Sequence, residues 1–238
     1  MNVAGVLDGA GLGQVSASIH ASNERSAKWL VVSSAKGGSG KTTTARNLGV
    51  FAAHSGMSVG TVDLDIQATL TNWYTRRPEQ APGIQHFCVP LEELNEAIEA
   101  IGHRNDLDLI IVDTPPGVEV NPVGIRVLIR KADLVLVPTG QGGPDVDSVI
   151  EWMSFIHREG GRAAFILNRT KRNAGSFERA KLRLIEVGSL CPVDVRDLED
   201  IQATHDTGLG VLEVRGANGV QDLRGVWAFV RNEMGLGK

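Results

Sequence analysis

A glycine-rich turn between a strand pattern and a helix pattern limits what this chain can fold into more than any other feature. Residues 29–32 are apolar and partly β-branched, which predicts a buried strand, and residues 45–54 have a helical pattern. Between them the chain reads Lys36-Gly37-Gly38-Ser39-Gly40-Lys41-Thr42-Thr43. Glycines let a backbone fold around an anion with successive N–H groups pointing at it, and the start of the helix adds positive potential. The segment therefore predicts a phosphate-binding loop.

Two side chains at the end of this loop carry the expected chemistry. Lys41 is placed to reach the β- and γ-phosphates of a nucleotide, and the Thr42 hydroxyl to ligate Mg²⁺. The strict pattern G-x-x-x-x-G-K-[ST] fails at one position, because Ala35 stands where its first glycine belongs. A second lysine, Lys36, precedes Gly37 instead. A glycine-rich turn with incidental lysines is the alternative, but strand, loop, Lys-Thr pair and helix all favour phosphate binding.

The composition is that of an ordinary globular protein. The 238 residues suffice for one large α/β domain, with 42% of them hydrophobic and 22% charged. Two cysteines far apart in the sequence indicate a reducing compartment without a disulfide framework. No apolar run approaches the roughly 18 residues of a membrane span, and no secretion signal is evident. We therefore expect a cytoplasmic protein.

Strand patterns alternate with helical patterns from residue 29 onward, which is typical of a doubly wound α/β fold with a mostly parallel sheet. Predicted strands cover residues 30–33, 59–63, 109–113, 134–138, 163–167 and 191–195, with an edge strand over 84–87. Predicted helices cover residues 41–54, 68–75, 91–101, 120–129, 147–159, 177–187 and 220–234. Residues 1–27, rich in Gly, Ala and Ser, are expected to form a flexible tail, and residues 28–238 a single domain.

Carboxylates follow two of the predicted strands, at the edge where such folds bind ligands. Alternation places Asp63 and Asp65 on the same side, where two carboxylates need a cation or a water network between them. The apolar run over residues 109–112 ends in Asp113. The alternatives are an acidic surface loop for the first pair and a turn cap for Asp113. A phosphate loop in the same chain favours Mg²⁺ binding through water.

Three segments resemble the ParA/MinD family of ATPases. The loop with its leading lysine is similar to the family's deviant Walker A motif, K-G-G-x-G-K-[ST]. The stretch Asp63-Leu64-Asp65-Ile66-Gln67 is similar to the Walker A′ motif D-x-D-P-Q, with Ile66 in place of the proline. Residues 109–117 resemble a Walker B strand followed by a switch segment, Thr114-Pro115-Pro116-Gly117. The resemblance covers about residues 28–235 and implies a P-loop NTPase of the deviant Walker type.

The resemblance implies ATP and Mg²⁺ as cofactors and assigns a role to each matching residue. Its catalytic residues are Lys36, which acts on the nucleotide of the other subunit, Lys41, and Asp65, which positions the attacking water. Its metal residues are Thr42, Asp63 and Asp113. Its nucleotide contacts are Gly37, Gly38, Ser39, Gly40, Lys41, Thr42, Thr43, Asn168 at the adenine edge and Pro192 against the base.

The resemblance also implies partners. ATP binding is expected to close a homodimer, the dimer to bind nonspecific DNA on the nucleoid, and a ParB-like partner to stimulate hydrolysis, so that plasmid, chromosome or other cargo is positioned. A net charge of −4 does not indicate nucleic-acid binding, so DNA contact needs a local patch. The candidate residues are Arg169, Lys171, Arg172, Arg179, Arg183 and Arg196. A solvated helix face is the alternative for this cluster.

Rival interpretations differ in class. A MinD-like membrane-associated positioning ATPase needs an amphipathic helix beyond the core. The apolar residues 227–231 lie seven residues from the end and indicate a last core helix. We therefore expect no membrane contact. A reductase of the nitrogenase iron-protein type needs paired cluster cysteines, which Cys88 and Cys191 do not provide. An ATP-gated scaffold without hydrolysis would not need Asp65.

Overall fold

The computed structural model describes residues 26–117 and 121–237. Within these ranges seven strands form one all-parallel sheet. The strands are β1 Lys28–Val32, β2 Val59–Asp63, β3 Gln85–Cys88, β4 Leu109–Asp113, β5 Leu134–Thr139, β6 Ala163–Leu167 and β7 Ser189–Leu190. Their order across the sheet is β3-β2-β4-β1-β5-β6-β7, so that β1 lies in the centre. The predicted α/β fold class is thereby confirmed.

Helices cover both faces of the sheet. In the described residues they are α1 Lys41–His54, α2 Thr69–Tyr74, α3 Leu94–Gly102, α4 Pro122–Lys131, α5 Gly143–Arg158, α6 Gly175–Ile185, α7 Glu199–Ala203 and α8 Val220–Met234. Two single 3₁₀ turns, Leu91–Glu93 and Val211–Glu213, join them. Helices α3 to α6 pack on one face, and α1, α2, α7 and α8 on the other.

The central strands are apolar along their whole length because both of their faces are buried. In β1, Trp29 and Val31 join the core on the α4 side, whereas Leu30 and Val32 join the core on the α1 side. Burying such a side chain stabilises the fold by roughly 1.5–3 kcal/mol. The strands are paired so that Val32, Asp63 and Asp113, the last residues of β1, β2 and β4, lie in register. The loops that follow these strands therefore start side by side.

The prediction for the last strand is wrong in its bounds. It covered residues 191–195, whereas β7 is only Ser189–Leu190. Pro192 has no N–H to donate to a ladder, and Asp194 turns its carboxylate toward the Arg172 guanidinium, 3.0 Å away. Two N–H groups of the segment still donate to β6 carbonyls, so the chain follows β6 as an irregular edge.

Several element ends also differ from the prediction. Helix α4 begins at Pro122 with the Asn121 side chain accepting from the Gly124 N–H; the expected start at residue 120 lies outside the described residues. Helix α5 begins at Gly143, four residues earlier than predicted. The short helix α7 was not predicted at all. The differences in α4 and α5 arise at helix ends, where caps and turns outweigh periodicity.

The predicted tail, residues 1–27, lies outside the described residues except for its last two positions. Of these, Ala27 is buried in the core on the α4 side, so the packed domain begins just before residue 28. Over the part of the chain that the structure describes, none of the helices is long and apolar enough to span a bilayer.

Residues 199–214 pack against α1 and α2 and complete one wall of the fold. Trp73 is fully buried, and its Nε1–H donates to the Leu209 carbonyl at 3.0 Å. Arg77 and Glu213 form an ion pair at 2.7 Å whose side chains are only 5% and 7% exposed. Glu213 also accepts from the Gly210 N–H. One buried ion pair thus ties this segment to the turn that follows α2.

Glu213→Ala should lower the free energy of unfolding by roughly 3–5 kcal/mol, because it leaves the buried Arg77 guanidinium without an acidic partner, with only the Pro82 and Gly208 carbonyls to accept from it. Urea denaturation followed by circular dichroism measures the loss. Arg77→Met combined with Glu213→Leu should recover a large part of it, since no buried charge remains. Glu79→Ala, at an exposed position after α2, serves as the control. A loss below about 1 kcal/mol for Glu213→Ala, the value of an exposed pair, would contradict the prediction.

Candidate functional site

A cleft of about 930 Å³ lies at the carboxyl ends of the strands. Its walls come from the loop between β1 and α1 and from the segments that follow β2, β3, β4 and β6. The volume is within the range of roughly 300–1,000 Å³ that small-molecule sites occupy. The topology therefore gathers most of the predicted phosphate-loop residues, together with Asp65 and Asn168, around one ligand-sized space.

The loop between β1 and α1 has the backbone that its glycines predict. Gly38 and Gly40 have φ values of 74° and 92°, a region in which other residues are strained. A Cβ on Gly40 would lie 2.0 Å from Asn168 Nδ2, so a side chain here would also displace the Asn168 amide, which follows β6. Helix α1 begins directly after Gly40, which brings its N-terminus to the cleft. An anion in the cleft would meet this N-terminus.

The two lysines of the loop have different environments. Lys41 is 7% exposed and its Nζ donates to the Lys36 carbonyl at 3.2 Å. Burial lowers the pKa of Lys41, while the nearby Asp113 and Asp65 carboxylates partly offset this effect. Lys36 is 41% exposed, and its Nζ lies 3.1 Å from Asp145 Oδ1 at the start of α5. One lysine is thus enclosed with the carboxylates, and the other projects outward.

Asp113 is the most desolvated acid of the site. It is 1% exposed, and its Oδ2 accepts from the Thr42 hydroxyl at 2.6 Å. Burial raises the pKa of Asp113 to about 7; the Thr42 hydrogen bond and Lys41 oppose this, whereas Asp63 and Asp65 add to it. The other oxygen, Oδ1, is buried and has no hydrogen-bond partner among the described residues. An unpaired buried carboxylate oxygen is a site for a cation or a bound water.

The donor set fits Mg²⁺. Hydroxyl and carboxylate oxygens are the ligands that this ion prefers, and it usually keeps several waters while binding substrate phosphates. Within residues 26–117 and 121–237, no cluster of three or more His, Cys, Asp or Glu side chains could hold a metal on its own. Thr42 and Asp113 would therefore share the ion with phosphate oxygens and water.

Asp63 occupies a different position from Asp113, although the two residues are paired in register across β2 and β4. It is 1% exposed, and its Oδ2 accepts from both the N–H and the hydroxyl of Thr71, each at 2.8 Å. Its Oδ1 accepts from the Asp65 N–H at 3.1 Å. With both oxygens engaged by the protein, Asp63 orients Asp65, which lines the cleft. Its predicted support of the metal stays a prediction.

The two predicted adenine contacts have different placements. Asn168 lines the cleft and is 3% exposed; its Nδ2 donates to the Ser39 carbonyl and its Oδ1 accepts from the Arg169 N–H. Pro192 is exposed and is not among the described residues that line the cleft. The chain after β7 lines it later instead, through Arg196, Asp197, Leu198, Ile201 and Gln202. The predicted contact of Pro192 with the base stays a prediction.

Four of the six predicted DNA-binding residues are engaged in ion pairs. The pairs are Arg169–Asp197, Arg172–Asp194, Arg183–Asp147 and Arg196–Asp222. In the part of the chain that the structure describes, Lys171 and Arg179 form no ion pair, and both are exposed. The net positive charge of the patch is therefore smaller than the sequence suggests.

The sequence analysis did not identify Arg46, a charged residue of α1 that supports the segment around α7. Arg46 in α1 is 2% exposed, and its Nη2 donates to the Ile201 carbonyl at 2.6 Å, near the end of α7. Burial lowers the pKa of Arg46 to about 10. The only signal in the sequence was an arginine inside a largely apolar helix pattern. Such a pattern does not indicate which group the arginine contacts.

Comparison with known proteins decides the family. Residues 30–200 match the family described as the CobQ/CobB/MinD/ParA nucleotide binding domain. The chain belongs to this family. It is 29% identical over 195 residues to the maintenance of carboxysome distribution protein A of Gloeobacter kilaueensis, covering 79% of this chain and 86% of that protein. It is 34% identical over 113 residues to protein ParA of Rhizobium radiobacter, covering 46% and 47%.

A solved MinD/ParA-type structure has the same fold. The septum site-determining protein MinD complexed with Mg-ADP from Pyrococcus horikoshii OT3 superposes with a TM-score of 0.73. The superposition covers 86% of this chain and 96% of MinD at 18% identity. At this identity the similarity shows the fold. Together with this fold, the family match identifies the chain as a member of the ParA/MinD-type P-loop ATPases, related to positioning proteins.

In the absence of Mg²⁺, Asp113→Asn should stabilise the protein, and more so as the pH rises. The folded state keeps the Asp113 proton up to a pKa of about 7, whereas the unfolded chain loses it near the ordinary value of 3.8. The free energy of unfolding of the wild type therefore falls over this interval, by up to about 4 kcal/mol, and the amide removes the effect. Urea denaturation in EDTA at pH 5 and pH 8 measures it.

The control is denaturation with Mg²⁺ and nucleotide, where the wild type should gain more stability than the variant. If the two proteins keep the same stability difference at both pH values in EDTA, the assignment of the raised pKa to Asp113 is wrong.

Proposed function

We propose that this protein is a Mg²⁺-dependent ATPase that forms an ATP-bound dimer, binds DNA without sequence preference and positions a cargo, with hydrolysis stimulated by a ParB-like partner. The single observation that carries this proposal is the pair of lysines on one phosphate loop. Lys41 is enclosed beside the carboxylates, and Lys36 projects from the same loop with 41% of its side chain exposed. Because Lys36 does not line the cleft of its own subunit, we infer that it reaches a nucleotide bound to another subunit.

The chemistry proposed for the cleft is phosphoryl transfer to water. Mg²⁺ held near Thr42 and Asp113 would neutralise phosphate charge, and Lys41 would add a positive charge from the protein. Asp65 lines the cleft, and its Oδ1 already accepts from the Gln67 N–H at 3.0 Å, which holds its orientation. We infer that the free side of this carboxylate positions the attacking water. Water attacks the γ-phosphorus, the bond to the bridging oxygen breaks, and ADP and inorganic phosphate leave.

Lys36→Ala should abolish ATP-dependent dimerisation and turnover while leaving ATP binding within about 3-fold of wild type, because Lys41 and the loop backbone remain. Size-exclusion chromatography with light scattering measures the dimer, and a fluorescent ATP analogue measures binding.

Lys28→Ala is the matched control for Lys36→Ala. Lys28 is similarly exposed at 46% and pairs with Asp133, but it lies at the opposite end of β1. This control should dimerise as the wild type does. A Lys36→Ala protein that dimerises with ATP and hydrolyses it at the normal rate would overturn the role of Lys36 across the interface.

Relatedness to positioning proteins supports a cargo-moving role. The Gloeobacter relative is named for maintaining carboxysome distribution, and the Rhizobium relative is named ParA. We propose the same type of role here, with the nucleoid as the surface on which the ATP-bound dimer is held. The cargo would be attached through the stimulating partner.

The exposed, unpaired cations after β6 are the proposed DNA contacts. Lys171 follows β6 at the carboxyl edge of the sheet, and Arg179 lies on the exposed face of α6. Arg172 and Arg183 can also reach phosphates from the rim, because their own side chains are 48% and 46% exposed. Dimerisation doubles the patch. Arg196 is excluded from direct contact in this proposal, because its partner Asp222 is 7% exposed and accepts two hydrogen bonds from its guanidinium and one from its backbone N–H.

Lys171→Glu combined with Arg179→Glu should abolish ATP-dependent binding to random-sequence duplex while sparing ATP-induced dimerisation. If the wild-type dimer neutralises about six phosphates, its affinity should fall roughly 10³-fold between 50 and 200 mM salt. A gel-shift assay with ATP and with ADP at several salt concentrations measures both effects.

Arg215→Glu combined with Arg224→Glu is the matched control, because it makes the same charge change at exposed positions on the α8 face of the fold. This control should keep most of the binding. Equal binding with ATP and ADP, or none at low salt with a confirmed dimer, would reject DNA as the surface. Cosedimentation with anionic lipid vesicles under the same conditions would then favour the MinD-like alternative.

A further inference from the structure

A chain of hydrogen bonds leads from the sheet interior to the carboxylates of the cleft. The Thr61 hydroxyl in β2 lies 3.0 Å from His86 Nδ1 in β3, and His86 Nε2 lies 2.9 Å from the Thr71 hydroxyl in α2. The Thr71 hydroxyl donates to Asp63 Oδ2 at 2.8 Å. The other oxygen of Asp63 accepts from the Asp65 N–H. Four side chains on three elements thus end at the aspartate that is proposed to position the attacking water.

The direction of these hydrogen bonds follows from the donors available. An ionised Asp63 can only accept, so the single hydroxyl proton of Thr71 points to it. Thr71 can then only accept from His86, which places a proton on Nε2. Neutral imidazole carries one proton, so Nδ1 accepts from the Thr61 hydroxyl at 3.0 Å, which is closer than the 3.3 Å between that hydroxyl and the Gln85 carbonyl. Burial lowers the pKa of His86, in agreement with a neutral ring.

The ring of His86 is held in place by more than these two bonds. It stacks on Tyr74 with ring centroids 4.7 Å apart, and its backbone is paired with Thr61 in the β2–β3 ladder. The polar contacts of His86 are therefore made by a fixed ring. Such a ring restricts the rotation of the Thr71 side chain, which in turn restricts Asp63.

We propose that His86 and Thr71 are positioning residues for the metal and water chemistry of the cleft, acting through Asp63 on Asp65. This inference rests on the proposed ATPase function. Partners behind a metal site orient its ligands, and their removal typically lowers metal affinity or activity by about 10–100-fold. The network predicts the same dependence here, because Asp63 has no other side-chain donor among the described residues.

Three variants separate the steps of the chain. Thr71→Val keeps the shape and the backbone N–H bond to Asp63 but removes the hydroxyl. His86→Phe keeps an aromatic ring beside Tyr74 and removes both polar contacts. His86→Gln keeps an N–H donor that can reach Thr71. Gln85→Ala is the matched control, because Gln85 is the adjacent residue on the other face of β3 and bonds only to surface partners through its side chain.

Two readouts are needed: steady-state kcat and KM for ATP, and the affinity for a fluorescent ATP analogue with Mg²⁺ and with EDTA. Thr71→Val should lower kcat, and also the gain in analogue affinity that Mg²⁺ provides, by about 10–100-fold. His86→Phe should lower both by about 10-fold, near the lower end of that range. His86→Gln should stay within about 3-fold of wild type. Affinity in EDTA should change little in all three, because the phosphate loop is untouched. KM, which is measured with Mg²⁺, should rise in the variants that lose the Mg²⁺ effect.

The outcomes are distinguishable. A wild-type protein whose analogue affinity does not depend on Mg²⁺ overturns the proposed function and this inference with it. A Mg²⁺-dependent wild type with Thr71→Val and His86→Phe indistinguishable from Gln85→Ala overturns this inference alone. So do variants that lose thermal stability while kcat and the Mg²⁺ effect are unchanged, since that is a purely structural role. Equal losses for His86→Gln and His86→Phe would contradict the donor role of His86.

Discussion

The buried carboxylate of Asp113 is the constraint on which the rest of the cleft depends. A carboxyl with 1% exposure is stable only if donors and cations surround it, and Thr42 and Lys41 from the phosphate loop meet part of that need, which leaves Oδ1 without a partner among the described residues. They reach it because Val32, the last residue before the loop, is paired in register with Asp113. Asp63 is paired with Asp113 from the other side. The register of three parallel strands therefore sets the geometry that the loops use.

Residues with a strained backbone conformation also lie at the cleft. Among the described residues, the two non-glycine positions with positive φ are Ala68 at 50° and Arg169 at 52°, and both line the cleft. Such residues persist only where their surroundings determine them. The Ala68 N–H donates to the Asp65 carbonyl, and the Arg169 N–H donates to Asn168 Oδ1. The strained turns thus hold the residues proposed to face the water and the base.

Local patterns were sufficient to predict the loop, the apolar strands and the aspartates that end them, because each is determined by a few adjacent residues. The arginine pairs could not be predicted in this way. Arg196 meets Asp222 only because α8 packs beside the chain that leaves β7. Helix α7 spans five residues, too few for periodicity to indicate it. The chain His86–Thr71–Asp63 joins three elements, so no motif contains it.

The contact between Lys36 and Asp145 has a consequence for how firmly two subunits would hold each other. Lys36 already has an acidic partner in its own chain, 3.1 Å away. Reaching a phosphate on a second subunit would exchange one ion pair for another, and the gain is only the difference between them. Association built on such an exchange is readily reversed once the distant phosphate is gone. In the proposed dimer, Asp145 at the start of α5 would thus favour short-lived association of the two subunits over permanent association.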